Sequence, residues 1–195
     1  FLSQRPAGLI VAGIDQTDAS RKLLERADCP VVQIMELAPD PVDMLVGFSH
    51  RAAARAATEH LLDRGYTAPT FLGARMDPRS ERRLQGFRDA LDAVGMSTEG
   101  RELTTTEPSS VHLGGALLDR HRARAPGTDA VFCNNDDLAL GAAFAAQRAG
   151  LKVGRDIGIC GFLDLEVMAA AHPSITSVRT FRRQMGETAA LRVLD

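Results

Sequence analysis

TDAVFCNNDDLALGAAFAAQRAGLKVGRDIGICGFLDLE, residues 128–166, decides the fold. It divides into an apolar run at 129–133, a polar corner at Asn134, Asn135 and Asp136, a helical period over 137–149 stopped by Gly150, and a second apolar run at 157–160. Two short continuous apolar runs joined by a helix predict neighbouring parallel strands, because crossover helices cover both faces of such a sheet. Both strands then end at one edge. That places Asn134-Asn135-Asp136 beside Gly161-Phe162-Leu163-Asp164 at strand carboxyl ends, where open α/β sheets bind their ligands.

The same rhythm extends outward. Upstream, strands are expected at 8–13, 30–35 and 44–48, with a helix over 17–27 that turns Leu23 and Leu24 inward. Pro39-Asp40-Pro41 forces a loop, since proline lacks a backbone donor and restricts its predecessor. Ser49 is placed to cap a helix with Ala53, Ala56, Ala57, His60 and Leu61 on its apolar face, ending at Gly65. A strand at 70–73 and a polar loop at 74–79 lead to a helix capped by Ser80 and running to Val94, with Leu84, Phe87, Leu91 and Val94 as its buried stripe. A weaker strand at 101–105 and a helix at 109–122 precede the opening stretch, and a strand at 175–178 and a helix at 182–194 follow it. The alternation predicts an α/β fold with doubly wound parallel sheets. Periodicity admits one sheet or two; the two-lobe arrangement is preferred, with crossings near Phe48-Ser49 and Thr180-Phe181 and a ligand cleft between the lobes. The lobes are then 1–48 with 181–195, a partial N-terminal lobe, and 49–180, the C-terminal lobe. Both ends read as cut, and Phe1 is not an initiator methionine.

Composition narrows the function. A formal charge of −2, no Trp and one Tyr argue against phosphate-backbone binding or base stacking by this segment. No apolar run approaches the roughly 18 residues of a membrane span. Cys29, Cys133 and Cys160 have no close spacing, and Cys133 and Cys160, which end the two apolar strands, read as reduced packing residues of a cytosolic protein. Neither G-x-G-x-x-G nor G-x-x-x-x-G-K-[ST] occurs, so no nucleotide cradle is expected. Gly47-Phe48-Ser49-His50-Arg51 lacks the final glycine of a nucleophile elbow, and the five histidines make no zinc pattern. The chain therefore reads as no enzyme, with no catalytic residue, no metal and no cofactor. A small hydrolase using Asp136 and Asp164 stands as a third reading, which predicts turnover where a sensor predicts only binding. What helix capping does not explain is the density of Asn134, Asn135, Asp136 and Asp137; amides and carboxylates together match the hydroxyls of a sugar. Arg83, near the start of a helix that follows a strand, can point to the same edge and hold a carboxylate or paired hydroxyls.

A series of motifs then carries a resemblance: Gly8-Leu9-Ile10, Cys29-Pro30-Val31-Val32, Phe48-Ser49-His50, Glu59-His60-Leu61-Leu62, Gly65-Tyr66, Phe71-Leu72-Gly73, Arg83-Leu84-Gln85-Gly86-Phe87, 129–136, Gly141-Ala142, Gly161-Phe162 and 173–178. In this order the chain resembles the effector-binding core of the LacI family of transcription regulators, which has a two-lobe, periplasmic-binding-protein-like fold. The resemblance implies that Arg83 clamps the effector, that Asn135 of the Asn135-Asp136 pair faces it, and that Asp137 lines the pocket. It further implies apolar walls at Phe48 and Phe181 and an acidic contact at Glu36. The family usually carries two acids after Gly-Phe; here Leu163 stands in the first place and Asp164 in the second. Residues 30–41, 48–50 and 73–79 look most like the family's gluconate-utilisation repressors, which implies that Arg75, Arg79 or Arg83 meets a sugar-acid carboxylate. The implied protein is a cytoplasmic homodimer that binds operator DNA through a helix-turn-helix not in this chain, with no membrane partner. A periplasmic-type solute receptor for sugar uptake is the alternative of the same fold.

Overall fold

Pro39-Asp40-Pro41 separates the second and third strands of the chain, as their missing donors require. The computed structural model describes residues 4–194. In order, the elements are β1 (Leu9–Ala12), α1 (Asp18–Glu25), β2 (Val31–Ile34), β3 (Met44–Val46), α2 (His50–Asp63), β4 (Pro69–Gly73), α3 (Pro78–Ala93) and β5 (Glu102–Thr104). They continue with α4 (Val111–Arg124), β6 (Ala130–Cys133), α5 (Asp136–Arg148), β7 (Gly158–Leu163), α6 (Glu166–Ala170), β8 (Thr176–Arg179) and α7 (Arg182–Leu194). All strand pairs are parallel, in one sheet of order β1-β2-β3 and one of order β5-β4-β6-β7-β8. The chain divides into two units, Phe1–Ser49 with Phe181–Asp195, and His50–Thr180.

In the first unit the central strand β2 buries Val31 and Val32, and α7 packs on the sheet through Met185 and Ala189. Thr17 caps α1, its hydroxyl accepting from the Ser20 N–H at 3.2 Å. The inward position expected for Leu23 is corrected: Leu23 is 58% exposed and α1 has no fully buried residue. A three-stranded sheet offers an eight-residue helix too little area to cover it.

In the second unit each central strand is buried on both faces. Phe71 and Phe132 turn to the side of α2 and α3, where Phe71 meets Phe87 with ring centroids 5.8 Å apart and Phe132 at 5.6 Å. Their neighbours Leu72, Val131 and Cys133 turn to the other side, into a cluster with Leu117, Leu118, Leu138 and Ile159. This is the period-2 alternation of a strand expressed in a sheet covered twice. Cys133 and Cys160 are free and buried; burial pushes both thiols up, Cys160 to about 12, so neither is a reactive thiolate.

Three helix expectations are corrected. The buried face of α2 is His50, Ala54, Ala57, Thr58 and Leu61, while Ala56 and His60 are exposed. Asp77, not Ser80, caps α3: its carboxylate accepts from the Ser80 N–H at 2.8 Å, and Pro78 takes the first helical position, where its missing donor is not needed. Val94 lies past the end of α3 and is 57% exposed. Against α2, α3 packs backbone to backbone at Gly86, where a Cβ would run into the Arg51 carbonyl oxygen. That close approach fixes the middle of α3 against the first turns of α2.

His121 on α4 is buried and its Nε2 lies 2.9 Å from Thr70 Oγ1. Burial first, and then Arg124, lower its pKa from 6.5. A lowered value means that the unfolded chain takes up the proton first as pH falls. The contribution of neutral His121 to stability is thus complete above pH 6.5 and declines below it, down to the depressed folded value. Thermal unfolding followed across this range is expected to show a falling midpoint that flattens in His121→Gln; an unchanged slope in the variant would exclude His121 as its source.

Candidate ligand-binding site

In the second sheet, whose order is β5-β4-β6-β7-β8, the chain steps from β4 to one side for β5 and to the other for β6, β7 and β8, so the strand order reverses between β4 and β6. Crevices outside the carboxyl ends of strands at such a reversal are the usual ligand sites of open α/β sheets. The loop after β4 leads to α3 and Arg83; the corner after β6 is Asn134-Asn135. The two are joined directly, since Arg83 Nη1 donates to the Asn134 carbonyl oxygen. Arg83 is 8% exposed, its guanidinium carbon lies 4.0 Å from the centre of the Phe162 ring, and its Nε donates to His50 Nδ1 at 3.1 Å. A cation on an aromatic face in a desolvated place is attracted by the ring quadrupole, a contribution of about 2 kcal/mol.

Asn134 is the hinge pin of this corner. Its Nδ2 donates to Ala74 O at 2.8 Å and Ser80 Oγ at 2.9 Å, and its Oδ1 accepts from the Ala74 N–H at 3.3 Å. The β4–α3 loop is thereby tied to the end of β6. Asn135 follows as the cap of α5, its Oδ1 accepting from Leu138 N–H at 3.1 Å. Its Nδ2 makes no hydrogen bond with the described residues. Asp137 stands exposed in the first turn of α5.

Asp136 is 1% exposed and turned inward. It accepts from the Leu165 N–H at 2.7 Å and the Ser177 hydroxyl at 2.6 Å, clasping the start of α5, the end of β7 and β8 together. Burial raises its pKa; the bonds from Leu165, Ser177 and Phe162 oppose the rise, and the Asp164 charge adds to it. A carboxylate so committed is no general acid or base for a substrate, which removes the carboxylate pair a hydrolase would need. Asp164 is held too: its N–H donates to Ser177 Oγ at 3.0 Å and its carboxylate accepts from Arg179 Nε at 2.5 Å. Leu163 and Asp164 carry φ of +125° and +55°, a strained turn for side-chain-bearing residues that aims this loop away from β7.

Two further arginines lie on the β4–α3 connection. Arg75 is exposed on the loop and Arg79 is half-buried in the first turn of α3. Burial raises the Asp77 carboxyl, but the two bonds from Ser80 and the charges of Arg79 and Arg83 outweigh it and hold the group below 3.8. Among the described residues no group of three or more His, Cys, Asp or Glu is placed to hold a metal ion.

Of the expected site residues, Arg83, Arg79, Asn135, Asp137 and Asp164 gather at this one edge of the second unit. Glu36, Phe48 and Phe181 belong to the first unit: Glu36 is 3% exposed, Phe48 half-buried, and Phe181 is 62% exposed with φ +48°. Sequence reasoning placed Asn134 and Phe162 at this edge without their inward partners, and it missed His50, Ser177 and Arg179 as parts of the site.

Residues 58–195 match the family model of the periplasmic binding protein-like domain. The chain is 40% identical over 194 residues to the HTH-type transcriptional regulator GntR of Pseudomonas aeruginosa, covering 100% of this chain and 57% of that protein. Among solved structures, the transcription regulator GntR from Chromobacterium violaceum superposes with a TM-score of 0.94 at 41% identity, covering 99% of this chain and 71% of that one. A LacI family transcriptional regulator from Silicibacter pomeroyi superposes at 0.91 with 31% identity, over 99% of this chain and 73% of that one. The chain spans a little over half the length of the curated relatives it matches. No helix among the described residues is long and apolar enough to cross a membrane.

Proposed function

Because this chain belongs to the LacI family of transcriptional regulators, whose sensor is a periplasmic-binding-protein-like domain, we propose that it senses a small sugar acid, such as gluconate, for a sugar-responsive repressor. The carrying observation is Arg83, buried at the reversal of the second sheet with its guanidinium fixed over Phe162. A rigid fork of donors suits a carboxylate. Around it, the Asn135 amide and the Asp137 carboxylate offer the donor and acceptor that sugar hydroxyls require. The neighbouring charges favour an acid over a neutral sugar: Arg79 adds a cation, Asp164 is engaged by Arg179, and Leu163 stands where the family usually has an acid. Glu36, Phe48 and Phe181 are proposed as ligand contacts on the resemblance alone.

In this reading the effector alters operator binding by a helix-turn-helix headpiece of the kind the relatives' names record, in a cytoplasmic homodimer. The coupling is bounded by the effector's differential affinity for the two conformations of the sensor. Dimers of this sort read paired half-sites. The named relatives are regulators rather than uptake receptors, which favours this reading over the transport one.

Isothermal titration with gluconate and with neutral hexoses tests it. Gluconate is expected to bind and neutral hexoses to bind at least tenfold more weakly; the reverse order would remove the sugar-acid assignment. Leu163→Asp restores the family's usual acid and is expected to weaken gluconate about tenfold, roughly 1.4 kcal/mol, since the added carboxylate repels that of the ligand. The neutral hexoses should not lose affinity with it.

A further inference from the structure

His50 opens α2 and has no exposed surface. Its ring stacks on Phe162, with centroids 5.6 Å apart and planes 22° apart, and Arg83 lies on the same Phe162 ring at 4.0 Å. The Arg83 Nε–H donates to His50 Nδ1 at 3.1 Å. Nδ1 must therefore offer a lone pair, which places the imidazole proton on Nε2. Arg83 is then held in its own plane at two different nitrogens, Nε by His50 and Nη1 by the Asn134 carbonyl, and from one face by Phe162. One bond would leave the guanidinium free to swing about that bond; two in-plane bonds and a stacked ring do not. An arginine side chain has among the largest rotamer freedoms of any residue, and here that freedom is lost on folding rather than on ligand binding.

We infer that His50 is a positioning residue: it presets the orientation of Arg83 and so sets effector affinity without touching the effector. The inference rests on the reading of Arg83 as the residue that grips the ligand. Asparagine puts its Oδ1 close to where the imidazole Nδ1 stands and can accept from Arg83 Nε. Glutamine puts its amide near the Nε2 place, and leucine accepts nothing.

The test compares wild type, His50→Asn, His50→Gln and His50→Leu by two readouts: gluconate titration, and the Arg83 Nε–H signal in ¹⁵N-arginine NMR without ligand. Gluconate affinity is expected to fall about tenfold or more in His50→Gln and His50→Leu, and to return to within about threefold of wild type in His50→Asn. The Arg83 Nε–H signal should be protected from solvent exchange in wild type and His50→Asn and lost in the other two. Should His50→Leu fail to fold, His50→Gln carries the comparison. Wild-type affinity in His50→Gln, or equal weakening in His50→Asn and His50→Gln, would overturn the positioning role. If wild type binds no sugar acid, the functional reading fails on its own; an unaltered Arg83 signal in His50→Gln would then overturn the positioning as well, and a lost one would uphold it.

Discussion

Arg83→Ala is expected to weaken gluconate binding at least a hundredfold, the equivalent of roughly 2.7 kcal/mol or more. Hydrogen bonds to a charged group contribute about 1.5–3 kcal/mol each, and a carboxylate held by a guanidinium fork loses two of them together. The loss is not confined to the ligand. Without Arg83 the Asn134 carbonyl and His50 Nδ1 lose their donor and the Phe162 face loses its cover. Unfolding stability should fall by about 2 kcal/mol for the buried acceptors left without partners. Arg83→Lys separates the two effects: it keeps the charge but has neither Nε–H nor a fork, so binding is expected to recover only in part. Titration of both variants at a temperature where each is folded measures this. Gluconate affinity unchanged in Arg83→Ala would remove Arg83 from the site.

How the site was legible follows from the range of the interactions that build it. The parallel strands of residues 128–166 could be read because their signal is local: two apolar runs and a helical period between them. Arg83 could be placed at the edge for the same reason, as a basic residue near a helix start after a strand. The inward roles of Asn134 and His50 could not. Asn134 is satisfied by Ala74 and Ser80, 60 and 54 residues away in the chain, and His50 by Arg83, 33 residues away. A polar residue at a strand end reads as solvent- or ligand-facing until those partners are known. The α2 face failed for a different reason. An alanine-rich helix gives little contrast between its sides, so Ala54 and Ala56 are equivalent to a periodicity argument, yet one is buried and the other exposed. At α3 the competition lay between two good caps, and Asp77 wins because Pro78 suits the first helical position and cannot occupy a later one without loss of a bond.

The largest stability effect is expected where the Asn135-Asp136 pair divides its labour. Asn135 caps α5 and keeps its amide available; Asp136 turns inward, and its Oδ1 occupies the place that a side chain on Gly161 would take. This explains a glycine inside β7, where it would otherwise weaken the strand. Asp136→Ala takes their acceptor from the Phe162 and Leu165 N–H groups and the Ser177 hydroxyl, at about 1–3 kcal/mol for each group left unpaired, so a loss of about 4 kcal/mol is expected. Gly161→Ala alone drives a methyl group into Asp136 Oδ1 and should cost about 3 kcal/mol, with the overpacking felt through Ser177 and β8. The two losses should not add. With Asp136 shortened, the next nearest atoms to the new methyl are Ala139 Cβ and the flexible end of Met168, each at 3.1 Å. The double variant is therefore expected to lose at least 1.5 kcal/mol less than the sum of the single losses, a coupling of the size found between residues in contact. Urea unfolding of the four proteins measures it. Strict additivity would mean that Asp136 and Gly161 act on separate parts of the fold, and the clasp between α5, β7 and β8 would have to be given up.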